Sequence, residues 1–127
     1  MDPAWLGKAV VLAVHGRLLA EHGGAPGIRD TASLDSALAR PQHLLAYGDA
    51  DIYDLAAAYT SGFVRNHPSV DGNKRTGFMA GYVFLASNGL RMTASEIDVV
   101  HVVTLLASSE FDQIEFAAWL RENCESA

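Results

Sequence analysis

Helical periodicity in almost every segment is the feature that most restricts what this chain can fold into. Apolar side chains recur at helical spacing through 4–21, 31–40, 55–66, 72–87 and 111–122, which predicts amphipathic or buried helices. Strand-like alternation is absent from the sequence. The pattern therefore predicts an all-α domain of about six helices.

Residues that start or stop helices divide this pattern into elements. Gly23-Gly24 is predicted to end the first helix, and Pro41 is predicted to stop the second. Residues 41–51 then predict a loop or one irregular turn. Asp54 is predicted to cap the third helix, and the pattern at 93–96 fits a capping box that opens the fifth.

Composition and charge indicate a globular domain and limit its partners. The chain has 127 residues, enough for one domain over 1–127, and 50% of them are hydrophobic. A formal net charge of -6 argues against direct binding to nucleic acid, because phosphate backbones select a basic face. Cys124 is the one cysteine, so no intrachain disulfide is expected. With neither a signal peptide nor a membrane-spanning stretch visible, a cytoplasmic protein without membrane contact is expected.

A cluster of charged and polar residues lies between the third and fourth predicted helices, in the segment NHPSVDGNKRTG at 66–77. Lys74 and Arg75 fall in the first turn of the fourth helix, where the helix dipole disfavours cations by up to about 1 kcal/mol each. The main-chain N–H groups of such a turn lack internal partners and bind anions. We therefore expect an anion here, and phosphate suits both arginine and lysine.

The rest of the segment offers the other parts of a phosphoryl- or nucleotidyl-transfer site. Pro68 is predicted to keep His67 out of helical geometry, at the near end of the loop. An imidazole suits a general base, because the ordinary histidine pKa of about 6.5 lies near working pH. Asp71 can ligate a Mg²⁺ ion that bridges phosphate oxygens. Gly72 permits a backbone twist that other residues resist, and Asn73 can hydrogen-bond the loop or a phosphate without adding charge.

Residue spacing alone leaves a structural interpretation open beside the catalytic one. A polar turn with a glycine is ordinary between two helices, Asp71 can be an N-cap, and Lys74 and Arg75 can be solvated. His67 lies four residues before Asp71, but no third nitrogen or sulfur ligand follows at zinc-like spacing. A P-loop is excluded, because the glycine, lysine and hydroxyl pattern of that motif is absent.

The stretch HPSVDGNKR resembles the signature of the Fic/Doc family, which reads histidine, any residue, phenylalanine, any residue, Asp or Asn, Ala or Gly, and Asn-Lys-Arg. The match is to the Doc branch in particular. The stretches GGAPGIRD at 23–30, SLDSALARPQ at 33–42, LAAAY at 55–59 and FLASNG at 84–89 are similar to Doc-like (death-on-curing) toxins in order and spacing. The resemblance implies an all-α Fic-type domain with the motif loop at a helix N-terminus.

The resemblance implies the toxin of a toxin–antitoxin pair, a protein kinase that uses ATP and Mg²⁺ to phosphorylate a threonine or serine hydroxyl. The known Doc target is a threonine of elongation factor Tu, and its modification stops translation. Typical Fic enzymes transfer AMP and have a second glycine where this chain has Lys74. The lysine implies that ATP is turned around, so that the γ-phosphate faces the target. A Phd-like antitoxin is implied as partner, because Ala118 stands where the in-chain inhibitory motif of some Fic proteins needs serine or threonine.

Carried over position by position, the resemblance assigns each residue of the segment a role. His67 acts as the base on the target hydroxyl. Asp71 serves Mg²⁺ and the geometry of the loop. The residues that build the anion nest and hold the ATP phosphates are Gly72, Asn73, Lys74 and Arg75.

Ser69 departs from the family pattern, which has phenylalanine at this position. Burial of a phenylalanine side chain is worth about 1.5–3 kcal/mol. Its absence is expected to loosen the motif loop or underfill the core and so reduce activity, unless a large residue nearby compensates. The departure keeps one alternative to the kinase in view, an inactive module that only binds antitoxin or nucleotide. An AMP transferase is the other alternative, and Lys74 argues against it. A nuclease is disfavoured by the net charge.

A few polar residues outside the segment receive structural predictions. Asp30 is predicted to cap the helix that begins at residue 31, with Arg29 paired to a carboxylate. Arg65 is left open between a phosphate contact and a solvated helix end. His15 and His22 are expected on a helix face or end, since neither has a partner at informative spacing.

Overall fold

A computed structural model describes residues 2–127, which form six helices and two short strands. In chain order the elements are α1 Lys8–His22, α2 Thr31–Tyr47, α3 Ile52–Asn66, α4 Asn73–Ser87, β1 Leu90–Met92, α5 Glu96–Ala107, α6 Gln113–Glu122 and β2 Cys124–Ser126. The prediction of an all-α fold with about six helices is confirmed. Within 2–127, none of the helices has the length and apolar content needed to cross a bilayer.

Helix α3 lies at the centre of the fold, and every residue from 55 to 64 is buried. It packs against α2, α4 and α6. Glycines bring the neighbouring backbones close to it: a Cβ on Gly62 would lie 3.1 Å from the Ala37 Cβ, and one on Gly81 would lie 2.5 Å from Thr60 Oγ1. The Thr60 hydroxyl also donates to the main-chain oxygen of Gly77 at 2.8 Å. The separation of α3 and α4 is therefore set by close backbone contact.

Helix α2 is longer than the sequence predicts, because it continues through Pro41 as far as Tyr47. The predicted loop or turn at 41–51 is therefore wrong over 41–47. A proline inside a helix costs about 3 kcal/mol, since it lacks an N–H and crowds the preceding turn. Burial offsets this cost here: Leu34, Ala37 and Pro41 are all buried on the face of α2 that packs against α3.

Two predicted helix starts are displaced by a few residues. Asp51, not Asp54, is the N-cap of α3, and Asp54 is its capping-box partner, with reciprocal hydrogen bonds of 2.9 Å. Ser95, not Thr93, is the N-cap of α5, and its hydroxyl accepts from the Asp98 N–H at 3.2 Å. In both cases two nearby polar residues are suitable as N-caps, so the sequence alone does not identify the residue that caps the helix.

A small antiparallel ladder that the sequence does not predict joins β1 to β2, with Met92 opposite Cys124. Each strand has three residues, too few for alternation to be recognised. Cys124 is half-buried, and burial raises the pKa of its thiol.

An ion-pair cluster ties α6 to the start of α3. The Arg121 guanidinium donates to both Asp51 oxygens, at 2.7 and 3.0 Å, and to Asp54 at 2.7 Å. Burial alone would raise the pKa of Asp51, but the hydrogen bonds from Arg121 and from the Asp54 N–H outweigh it and lower that pKa. The same carboxylates, Asp51 first, raise the pKa of Arg121.

Candidate active site

An open cleft of about 700 Å³ lies between α1, α4, α5 and the loop that joins α3 to α4. Its remaining wall is mostly apolar and includes Phe78 and Val103. The site residues predicted from the sequence all line this cleft: His67, Asp71, Gly72, Asn73, Lys74 and Arg75. The structure therefore brings the predicted set together at one concave surface.

His67 ends α3 in the left-handed conformation, with φ 48° and ψ 55°. The prediction that it lies outside helical geometry is confirmed. Its N–H still donates to the Phe63 carbonyl at 3.2 Å, as the last bond of the helix. A residue other than glycine rarely adopts positive φ without restraint from its surroundings. The exposed imidazole thus leaves α3 at a defined point on the cleft.

Arg29 supplies part of that restraint. Its guanidinium donates to the His67 carbonyl at 3.0 and 2.7 Å and to the Asn66 carbonyl at 3.2 Å. The predicted pairing of Arg29 with a carboxylate is therefore wrong. The last carbonyls of a helix lack internal partners and carry partial negative charge, so they attract a cation as a carboxylate would.

The segment 27–30 also pairs with loop residues 68–70 through the main chain. The Val70 N–H donates to the Gly27 carbonyl at 3.1 Å, and the Pro68 carbonyl accepts from two consecutive N–H groups at 2.8 and 3.1 Å. Residues 68–70 of the loop are thereby fixed. Beyond this bridge the chain turns into α2.

Asp30 begins α2 as predicted. Its carboxylate accepts from the Ser33 N–H at 3.2 Å and from the Ser33 hydroxyl at 2.9 Å. These bonds, the N–H first, lower the pKa of Asp30. The cap fixes the point at which the segment 27–30 leaves the motif loop and enters the helix.

Ser69, which replaces the motif phenylalanine, is buried and forms an antiparallel bridge with Ile28. Residues directly opposite each other in such a pair project to the same face, and Ile28 packs against the core. The bridge places Ile28 directly opposite Ser69, so Ile28 is the nearby large residue that we expect to compensate. The side-chain amide of Asn73 also accepts from the Ser69 N–H at 3.0 Å and donates to its carbonyl at 2.9 Å. Asn73 therefore uses its side chain to hold the loop.

Asp71 lies at the turn into α4, with its carboxylate exposed at the cleft. One oxygen accepts from the Gly72 N–H at 2.9 Å, and the other from the Ala25 N–H at 3.4 Å. The N-cap of α4 is Gly72 and no side chain caps the helix, so Asp71 as a helix cap is wrong. The main-chain oxygen of Asp71 lies 2.8 Å from Nε2 of buried His15. This contact was not predictable from the sequence, because every residue carries a main-chain acceptor.

The first turn of α4 combines free N–H groups with two cations. Gly72 has a φ of 77°, which glycine adopts without strain. The turn contains no acidic residue, and the salt bridges within 2–127 do not involve Lys74 or Arg75. A multiply charged anion such as a polyphosphate suits this uncompensated positive charge.

The acidic groups at the cleft fit a metal ion that is shared with a substrate. Asp71 and Glu96 both line the cleft. Residues 2–127 contain no cluster of three potential metal ligands. Protein sites for Mg²⁺ commonly use one or two carboxylates and take the other ligands from phosphates and water. Asp71 retains free lone pairs for that role.

Comparison with known proteins identifies a family and two relatives that this chain resembles in sequence. The Fic/DOC family matches residues 5–85. Toxin Doc of Mycolicibacterium smegmatis is 44% identical over 79 residues, which cover 61% of this chain and 60% of that protein. Protein kinase doc of Escherichia phage P1 is 30% identical over 83 residues, which cover 65% of this chain and 66% of that protein. The matched part thus spans about three fifths to two thirds of each relative's length.

Proposed function

This chain belongs to the Fic/DOC family, and on that premise we propose that it is the toxin of a toxin–antitoxin pair and acts as an ATP-dependent protein kinase. The substrate class is a threonine or serine hydroxyl of a translation factor, with elongation factor Tu as the target by resemblance. The observation that carries the proposal is one cleft that holds an exposed imidazole, His67, beside an uncapped helix start with Lys74 and Arg75. The relatives named as a toxin and as a protein kinase support it.

The chemistry assigns a separate task to each end of the motif loop. His67 takes the proton of the target hydroxyl as its oxygen bonds to the γ-phosphorus, while the bond from that phosphorus to the ADP oxygen breaks. Lys74, Arg75 and the free N–H groups of α4 hold the phosphate oxygens in line. Asp71 would hold Mg²⁺, which neutralises charge on the phosphates when bound. The Asn73 side chain is oriented by its two hydrogen bonds to Ser69, so we assign its main-chain N–H to the phosphates.

The apolar part of the cleft suits the antitoxin rather than the phosphates. Val70 and Val100 line it and are 52% and 60% exposed, and such surfaces mark binding sites for other chains. We expect a separate Phd-like antitoxin to cover this wall with a C-terminal segment. Toxicity would then be controlled by occupation of the same cleft that binds ATP.

The test is label transfer from ATP carrying either γ- or α-phosphate label, with purified protein and bacterial lysate. Label from the γ-phosphate alone, lost in His67→Ala and kept in His43→Ala, is the expected result and would give the target's mass. His43 is a fit control because it is an exposed histidine on α2. Label from the α-phosphate would mean AMP transfer. ATP binding without transfer of either label would mean an inactive binding module.

A further inference from the structure

A buried histidine on α1 contacts the motif loop. His15 is 5% exposed, and its Nε2 lies 2.8 Å from the Asp71 main-chain oxygen. A carbonyl oxygen only accepts hydrogen bonds, so Nε2 carries the proton. His15 is therefore a donor to the loop and belongs to a helix that is remote from the motif in sequence.

The peptide between Asp71 and Gly72 is held at both ends. His15 holds its carbonyl, and the Asp71 carboxylate accepts from its N–H at 2.9 Å. Gly72 has a φ of 77° and no side chain, and glycine populates both signs of φ with similar ease. The conformation of Gly72 alone thus does not fix this peptide, whereas the contacts from His15 and from the Asp71 carboxylate do.

We propose that His15 is a positioning residue for the Asp71–Gly72 peptide. By fixing that carbonyl, it orients the Asp71 carboxylate and the first N–H groups of α4 toward the cleft. The proposal rests on the proposed function for its effect on phosphate transfer, and on the structure alone for its effect on the loop. The imidazole does not touch substrate in this scheme; it acts through Asp71.

Two substitutions separate hydrogen bonding from packing. His15→Gln places an amide N–H near the position of Nε2, while His15→Leu fills similar space without a donor. His15→Leu is expected to lower kcat for γ-phosphate transfer, and to weaken Mg²⁺ binding in the presence of ATP, each by about 10- to 100-fold. KM for the protein target should change little, and His15→Gln should restore most of the rate. His43→Leu is the matched control on an exposed site of α2.

A readout independent of activity is NMR of the full chain. We expect the wild-type ring to be protonated at Nε2, and the Gly72 and Asn73 amide signals to move in His15→Leu but not in His15→Gln. Equal impairment in both variants, an unaffected His15→Leu, or a ring protonated only at Nδ1 would overturn the proposal. If the wild type transfers no phosphate, the proposed function fails and the amide and ring signals alone decide the role of His15.

Discussion

The guanidinium of Arg29 donates two hydrogen bonds to the main-chain oxygen of His67, at 3.0 and 2.7 Å. The residue proposed as the base is thus held by its backbone, which leaves its imidazole free for proton transfer. Two donors on one guanidinium fix the orientation of the His67 carbonyl as well as its distance from Arg29.

Arg29→Gln is expected to lower the free energy of unfolding by about 1 kcal/mol, because Arg29 is exposed and its bonds are partly screened. The rate of γ-phosphate transfer should fall by about tenfold or more as His67 loses its fixed orientation. Urea unfolding and label transfer measure the two effects. Arg17→Gln is the control, since Arg17 only pairs with Glu21 on the surface of α1. Equal transfer rates in the two variants would contradict the role of Arg29.

Ser69→Phe is expected to destabilise the protein by about 1–3 kcal/mol, because Ser69 is buried and a ring added there should overpack the site. Adding Ile28→Ala should recover part of that loss, since the two side chains share one face. A double-mutant cycle by thermal or urea unfolding gives the coupling. If Ser69→Phe alone raises both stability and activity, the core is underfilled at this position and Ile28 does not compensate.

Lys74→Gly tests the direction in which ATP is bound. By the resemblance, the glycine should lower γ-phosphate transfer by about 100-fold or more and allow label to transfer from the α-phosphate. Lys74→Met removes the charge but keeps the bulk, so it should lose γ-transfer without gaining α-transfer. Parallel assays with the two labels distinguish these results. Appearance of α-label in the methionine variant would show that charge, and not space, sets the orientation.

Arg121→Met is expected to lower the free energy of unfolding at pH 7 by about 1 kcal/mol, given side chains that are 40% to 47% exposed. The pKa of Asp51 is lowered in the folded state, so this contribution is complete above the ordinary aspartate pKa, about 3.9. It is lost as the pH falls through the lower folded-state value.

The difference in unfolding free energy between wild type and Arg121→Met should therefore shrink as the pH falls below about 4. Denaturant titrations at several pH values measure it. Lys8→Met, which breaks an exposed pair with Asp35, should cost no more than about 0.5 kcal/mol. A difference that grows toward low pH would contradict the assigned sign.

The cleft residues were predictable because they are close neighbours in the sequence and differ chemically from the rest of the chain. The residues that orient them were not. His15 and Arg29 act across 56 and 38 residues, and both bind main-chain oxygens, which every residue has. Pro41 was misjudged for a different reason. Proline disfavours a helix interior, but burial of Pro41 against α3 outweighs that preference, and burial is visible only in the folded chain.

The close approach of Gly81 to Thr60 has a consequence for how this site could diverge. His67 directly follows the last residue of α3, and the turn that we propose binds phosphate opens α4. The spacing of these two helices therefore sets the distance between the proposed base and the proposed phosphate site. A single methyl group at Gly81 would push the two helices apart and increase that distance, while every cleft side chain would stay the same residue. A substitution in the interior of such a protein would therefore alter its substrate range as directly as one at the cleft surface.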